Sequence, residues 1–378
     1  MSFDRRDFLT ALVGGMVALT NAEAANLEGC GQGDGPPDPD SLARAGALRG
    51  IVVGAAVSSE QFIDTSYRAV LLQDCAALVP EWQMKWTATR KVPKTFDFAG
   101  MDLIARFASD HCLGLRGHPL IWHGAMPSWA EQEILAGGAQ RHLETHIRVT
   151  VGRYKSQITS WDVVNEAIRP EDGIDGGLRN TPWYRALGAD YIANAFHLAR
   201  RMDPNARLVY NDYNMEYEPQ KAQAILALVL SLRDKGVPID AVGLQSHLWA
   251  TKRPLRTDAL KNFCRTLVRN GVDVLITELD VRETDFNLTA AQRDKNSAAV
   301  VKTYLETVFA EVIPKELTLW GLSDRYSWLR KPKFNPENPL GYINRGLPYS
   351  EEMARQQMRQ VLLDAIQCVP IQYKKKAT

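Results

Sequence analysis

A glutamate at the end of an apolar strand is costly to desolvate unless something polar or reactive receives it. This sequence places one there twice. Glu166, beside Asn165, closes the apolar run WDVVNEAI (161–168), and Glu278 closes ITELDV (276–281), two residues before Asp280. Two carboxyl groups about 5–5.5 Å apart suit retaining hydrolysis of a glycosidic bond, one as nucleophile and the other as acid and then base. Metal ligation and a structural ion pair are the competing uses. Other apolar runs also end in polar or aromatic groups: Glu81, His118, Asn211 with Asp212, Gln245 with His247, and Trp320.

Positioning so many ends together requires a repeated architecture. Eight short runs rich in Val, Ile and Leu occur at 50–57, 76–82, 113–122, 158–167, 206–214, 241–248, 273–281 and 317–324. Longer amphipathic stretches such as YIANAFHLARRM separate them, which is the pattern of parallel strands joined by crossover helices. Eight such units predict an α/β fold, a single-domain (β/α)8 TIM barrel whose strands end around one mouth. Glu166, on the fourth strand, and Glu278, on the seventh, then face each other across the opening.

The chain has 378 residues and carries 45 Lys and Arg against 44 Asp and Glu, so no electrostatic case exists for nucleic acid or an anionic membrane as partner. Residues 1–24 read as a twin-arginine signal peptide: Arg5 and Arg6, a short apolar run, then Ala22-Glu23-Ala24. The run is too short to span a bilayer. Residues 25–40 form a Gly/Pro-rich linker, 41–368 one catalytic barrel, and 369–378 a basic tail. These segments predict export by the twin-arginine route to the periplasm or beyond, with no membrane contact after cleavage, as a monomer. The five cysteines, Cys30, Cys75, Cys112, Cys264 and Cys368, show no metal-ligand spacing; one disulfide is compatible with export, and its pairing is not specified.

Seven motifs in order, EWQMKW (81–86), GHPLIWH (117–123), WDVVNEAI, LVYNDYN (208–214), VGLQSHL (242–248), ITELDV and WGLSDRYSW (320–328), make the chain from about Leu42 to Trp328 resemble glycoside hydrolase family 10, the family of endo-β-1,4-xylanases. The resemblance implies a xylan-type polysaccharide as substrate, with no cofactor and no metal. It implies Glu166 as acid/base, Glu278 as nucleophile, Asn165 on the 2-hydroxyl of the sugar being cleaved, and His247, oriented by Asp280, keeping the nucleophile ionised. Glu81, Lys85, His118, Trp122, Gln245, Trp320 and Trp328 match positions that line the glycone side. Taken singly, Trp122 and Trp328 also fit a core and His118 a satisfied buried histidine. Asn211 and Asp212 are expected to brace the barrel rather than touch sugar, and His123 fits either role.

Two positions depart from the family pattern. Trp82 stands where an asparagine is usual, and Ala125 where a glutamine is common, so two polar ligands of one subsite are absent together. Trp82 is therefore expected to cover or stack on that sugar and to shift preference toward a decorated or shorter glycone. A retaining β-glycanase acting on a different β-glycan is the nearest alternative. A non-catalytic carbohydrate-binding barrel is opposed by the presence of both glutamates, Asn165, His247 and Asp280. A metal-dependent hydrolase using His118, His123, His247 and Asp212 lacks the HxH spacing that sets two imidazoles on one strand face.

Overall fold

The computed structural model describes residues 38–371, so the signal segment, Cys30 and most of the basic tail lie outside the described residues. Nine strands form one parallel system: β1 (Val52–Val57), β2 (Ala77–Pro80), β3 (Gly114–Gly117), β4 (Ser160–Asn165), β5 (Arg207–Asp212), β6 (Ala241–Leu244), β7 (His247–Trp249), β8 (Asp273–Arg282) and β9 (Glu316–Leu319). Pairing runs β1 to β6 in chain order, then β6 to β8, β8 to β9, and β9 back to β1. The ring therefore closes with eight strands, as the eight sequence runs predict. The short β7 stands outside that count and pairs only the outer half of β8, His247 opposite Asp280 and Trp249 opposite Arg282.

The strands are closed by helices that bury one stripe each. In Thr257–Arg269 the buried residues are Leu260, Phe263, Cys264 and Leu267, spaced three or four apart as a single helical face requires. Caps fix where helices begin: Asp64 accepts from the amides of Ser66 and Tyr67 ahead of Thr65–Asp74, and Thr289 with Gln292 forms a capping box ahead of Ala290–Phe309. Asp38, within the stretch read as linker, is already ion-paired to Arg355 at 2.5 Å. Cys75, Cys264 and Cys368 carry free thiols.

Charge fills the middle of the barrel. Arg116 forks onto Asp162 and donates from Nε to Glu316 at 3.1 Å, and Glu316 also accepts from Arg207 at 3.1 Å. Arg116, Asp162 and Glu316 are all buried, so these charges persist only because each has a partner. Asp162 spends its second capacity upward, accepting from His118 Nδ1 at 2.8 Å, which ties this floor to the mouth.

Both glutamate-bearing strands break register just where their side chains must be aimed. Between Asp162 and Val164 one extra residue of β4 faces β5, and between Ile276 and Leu279 one extra residue of β8 faces β9. A strict two-residue alternation would send Asp162 and Asn165 to opposite faces; with the bulge both engage the interior. Glu278 sits inside β8, which runs on to Arg282, rather than at the strand's end as the sequence suggests. The extension exists because β7 supplies a second pairing partner there.

Candidate active site

Glu278 is held on both oxygens. Its Oε1 accepts from Asn211 Nδ2 at 2.7 Å, with His118 Nδ1 at 3.9 Å, and its Oε2 faces His247 Nε2 at 3.3 Å. His247 donates from Nδ1 to Asp280 at 2.8 Å, and the other oxygen of Asp280 accepts from the Trp328 indole at 2.6 Å. Burial opposes a charge on His247, but the adjacent carboxylates of Asp280 and Glu278 outweigh it and raise its pKa to about 10. Burial likewise pushes Glu278 up; the positive charges of His118, His247 and Lys85 overcome that and bring it down to about 2. Glu278 is therefore a carboxylate across the neutral range, aimed by an imidazolium.

Glu166 leaves β4 in an unusual way. Its φ is +59°, the left-handed region that a β-carbon disfavours, and its amide donates to the Asn211 carbonyl at 2.9 Å. Its Oε1 accepts from Gln245 Nε2 at 3.1 Å and Asn165 Nδ2 at 3.3 Å, while its side chain keeps 15 % exposure against 5 % for Glu278. His123, which the sequence left undecided, brings Nε2 to 4.0 Å from Glu166 Oε2. Burial lowers the pKa of His123 well below its usual value despite Glu166, so a neutral imidazole faces this carboxyl.

The two carboxyl groups belong to one hydrogen-bonded arc. Gln245 Nε2 donates to Asn165 Oδ1 as well as to Glu166, Asn211 Nδ2 also donates to Asn165 Oδ1 at 2.9 Å, and Asn211 reaches Glu278. Thr277 Oγ1 donates to Asn211 Oδ1 at 2.7 Å, which fixes the amide's orientation. Gly243, opposite Asn211 in the β5–β6 register, makes room for it: a β-carbon there would lie 2.3 Å from Asn211 Oδ1. Asn211 thus braces the two acids, more central than a general barrel brace. Gln245, expected to line the glycone side, sits beside both, its Nε2 bonded to Asn165 and Glu166. Asp212 is a brace: fully buried, it pairs with Lys221 at 2.8 Å and accepts from Tyr210 at 2.6 Å.

The remaining expected residues gather around Lys85. Its ammonium lies 5.0 Å from the Trp122 ring centroid, 5.6 Å from Trp320 and 5.7 Å from Trp82. Burial lowers the Lys85 pKa against the pull of Glu278, Glu81 and Glu166, and burial raises that of Glu81 against Lys85. Trp320 is 5 % exposed and meets His118 edge to face at 5.0 Å, whereas Trp82 is 47 % exposed. Ala125 adopts φ +47° and its carbonyl accepts from the Thr87 amide, so this position contributes backbone, not a polar side chain. Of the side chains of the metal alternative, Asp212 pairs with Lys221, His118 with Asp162 and His247 with Asp280, and among the described residues no three His, Cys, Asp or Glu side chains are grouped to hold a metal ion.

Sequence reasoning missed Arg179. From the loop after β4 it donates Nε to the carbonyl of Glu166 at 2.7 Å and Nη2 to the Tyr213 hydroxyl at 2.7 Å. Nothing in its local sequence marks it, because the contact depends on that loop folding back 13 residues later.

The family profile described as Glycosyl hydrolase family 10 matches residues 41–365, extending past Trp328. A β-1,4-xylanase of Dictyoglomus thermophilum is 37% identical over 292 residues, covering 73% of this chain and 79% of the relative. Endo-1,4-β-xylanase B of Paenibacillus barcinonensis is 35% identical, covering 73% and 85%. Among solved structures, xylanase 10B of Thermotoga maritima superposes with a TM-score of 0.76 at 28% identity, covering 87% of this chain and 98% of that one. Xylanase 10B of Thermotoga petrophila RKU-1 in complex with xylobiose gives 0.77 at 26%, covering 89% and 99%. With the profile spanning most of its length and these relatives matched over most of theirs, the chain belongs to glycosyl hydrolase family 10.

Proposed function

We propose that this protein is an endo-1,4-β-xylanase that hydrolyses xylan with retention of anomeric configuration. One observation carries the reading: a buried, ionised glutamate and a partly exposed glutamate share one continuous arc of amide hydrogen bonds. Glu278 attacks the anomeric carbon while Glu166 gives its proton to the departing oxygen, leaving a glycosyl ester on Glu278. Glu166, now a carboxylate, deprotonates the water that cleaves this ester, and the two inversions sum to retention. Asn165, whose Oδ1 is occupied by Asn211 and Gln245 and whose Nδ2 already donates one hydrogen to Glu166, has the second Nδ2 hydrogen to offer the 2-hydroxyl.

Glu81, Lys85, His118, Trp122, Gln245, Trp320 and Trp328 hold the glycone, polar atoms on hydroxyls and indole planes on C–H faces. The exposed indole of Trp82 stacks on the sugar beyond the one being cleaved and favours a decorated glycone. Residues 1–24 direct twin-arginine export, which replacement of Arg5 and Arg6 by lysine tests by retaining the protein in the cytoplasm.

The function is tested by incubating the protein with xylan, arabinoxylan, glucuronoxylan and mixed-linkage β-glucan while following new reducing ends by proton NMR. Initial β-anomer from a xylan supports the proposal. Initial α-anomer, or turnover of β-glucan alone, overturns it.

A further inference from the structure

The inner wall of the cleft does not stop at the relay. His247 and Asp280 are paired across β7 and β8, and the next residues of the same parity, Trp249 and Arg282, are paired as well. Two residues along a strand return the side chain to the same face about 7 Å further on. Glu278, Asp280 and Arg282 therefore form a row leading from the candidate nucleophile to the rim. At the end of the row the Arg282 guanidinium lies 4.8 Å from the Trp249 ring centroid.

Arg282 is half-buried, yet among the described residues no carboxylate lies within 4.0 Å of it and its side chain makes no hydrogen bond. Burial lowers its pKa, opposed by the more distant charges of Asp280 and Glu337. Neither acid is free to serve it. Both oxygens of Asp280 are taken, by His247 and Trp328, and Glu337 is paired to Lys252. Arg253 provides the internal comparison. It stacks near the same indole, at 5.8 Å, and on Tyr217 at 4.8 Å, and it keeps Glu218 at 3.0 Å as counter-ion. A half-buried cation backed by an aromatic plane, with every nearby acid engaged elsewhere, is organised to receive an anion from outside the chain.

We propose that Arg282, backed by Trp249, is a carboxylate-binding subsite at the rim of the cleft that takes the uronic-acid side group of an acidic, decorated xylan. The subsite rests on the xylanase reading above and refines it, since it names the decoration that binding favours. The guanidinium fork meets the uronate carboxylate with two parallel N–H donors, and no bond is made or broken there. Lysine, a point charge without the fork, substitutes only in part.

The test compares the full protein with Arg282→Met, which keeps the stem against Trp249, and with Arg282→Lys. The substrates are a xylooligosaccharide carrying one glucuronosyl branch and the same oligosaccharide with that carboxyl reduced to the alcohol. The readout is the ratio of kcat/KM for acid over alcohol. A charge-assisted hydrogen bond predicts a ratio of about tenfold, falling to about one in Arg282→Met and to an intermediate value in Arg282→Lys. The ratio should also shrink as salt is raised. A ratio of one in the native protein, or one left unchanged by Arg282→Met, overturns the subsite. Absence of turnover on linear xylooligosaccharides would instead overturn the xylanase reading, and the subsite with it.

Discussion

Replacing Arg179 by methionine should impair proton delivery specifically. Its guanidinium holds the carbonyl of Glu166 at 2.7 Å and is itself steadied by the Tyr213 hydroxyl. The carbonyl it grips belongs to a residue with φ +59°, a conformation that costs an L-residue about 1–2 kcal/mol. A hydrogen bond from a charged donor is worth about 1.5–3 kcal/mol, enough to offset that strain. Without the clamp the Glu166 peptide can relax toward ordinary extended backbone, carrying the carboxyl away from the glycosidic oxygen. General acid catalysis contributes roughly 10²–10⁴-fold, and a 1 Å misplacement can cost on the order of 10²-fold. We therefore expect kcat/KM to drop about 10- to 100-fold for leaving groups that need protonation and to change little for dinitrophenolate, which does not. The assay is a series of aryl xylobiosides of graded leaving-group acidity, plotted as log kcat/KM for the native protein, Arg179→Met and Glu166→Ala. Both variants should steepen the plot. A parallel drop for Arg179→Met across all leaving groups, beside a steepened line for Glu166→Ala, would refute the clamp while sparing the acid.

Three further expectations follow from charge and burial. Asp280→Asn removes the main charge that keeps His247 protonated, so Glu278 loses a cationic neighbour, its pKa rises from about 2, and the acid limb of the kcat/KM profile moves upward by about one pH unit or more; an unmoved acid limb would contradict the relay. Glu216 is fully buried with neither carboxyl oxygen partnered, and burial raises its pKa from 4.5 to about 7. The folded chain thus holds a proton that the unfolded chain releases, so this group costs stability as pH rises from 4.5 through about 7. Glu216→Gln should be stabilising by about 3 kcal/mol at pH 8 and progressively less toward pH 5, read by denaturant unfolding at each pH; a difference independent of pH would count against it. Asn211→Ala should lower kcat for every leaving group alike, because it loosens Glu278 more than Glu166, and an effect confined to poor leaving groups would reverse that assignment.

Much of this arrangement is legible in the chain because it is carried by local pattern. Apolar runs of strand length gave the eight barrel strands, and polar groups at their ends marked the mouth. The spacing Glu278, Asp280 already places two acids on one face of β8. What the pattern hides is anything set by register or by loops. The bulges in β4 and β8 insert a residue without changing composition, so Glu278 reads as a strand end when it lies mid-strand. Gln245 reads as a sugar ligand, and the pattern does not show that the turn after β6, where Ser246 takes φ +61°, also brings it onto Glu166. Arg179 and the lone state of Arg282 are invisible for the same reason: a partner, or the lack of one, is decided by segments distant in sequence.

In the proposed function a Glu278 oxygen is the atom that bonds the sugar. Incubation with a 2-deoxy-2-fluoro xylobioside bearing a dinitrophenyl leaving group slows the second step and accumulates the intermediate, and digestion with peptide mass mapping locates it. The prediction is stoichiometric label on the peptide containing Ile276–Val281, fragmenting to Glu278. Label on Glu166 or elsewhere, or full inactivation without covalent label, would contradict it.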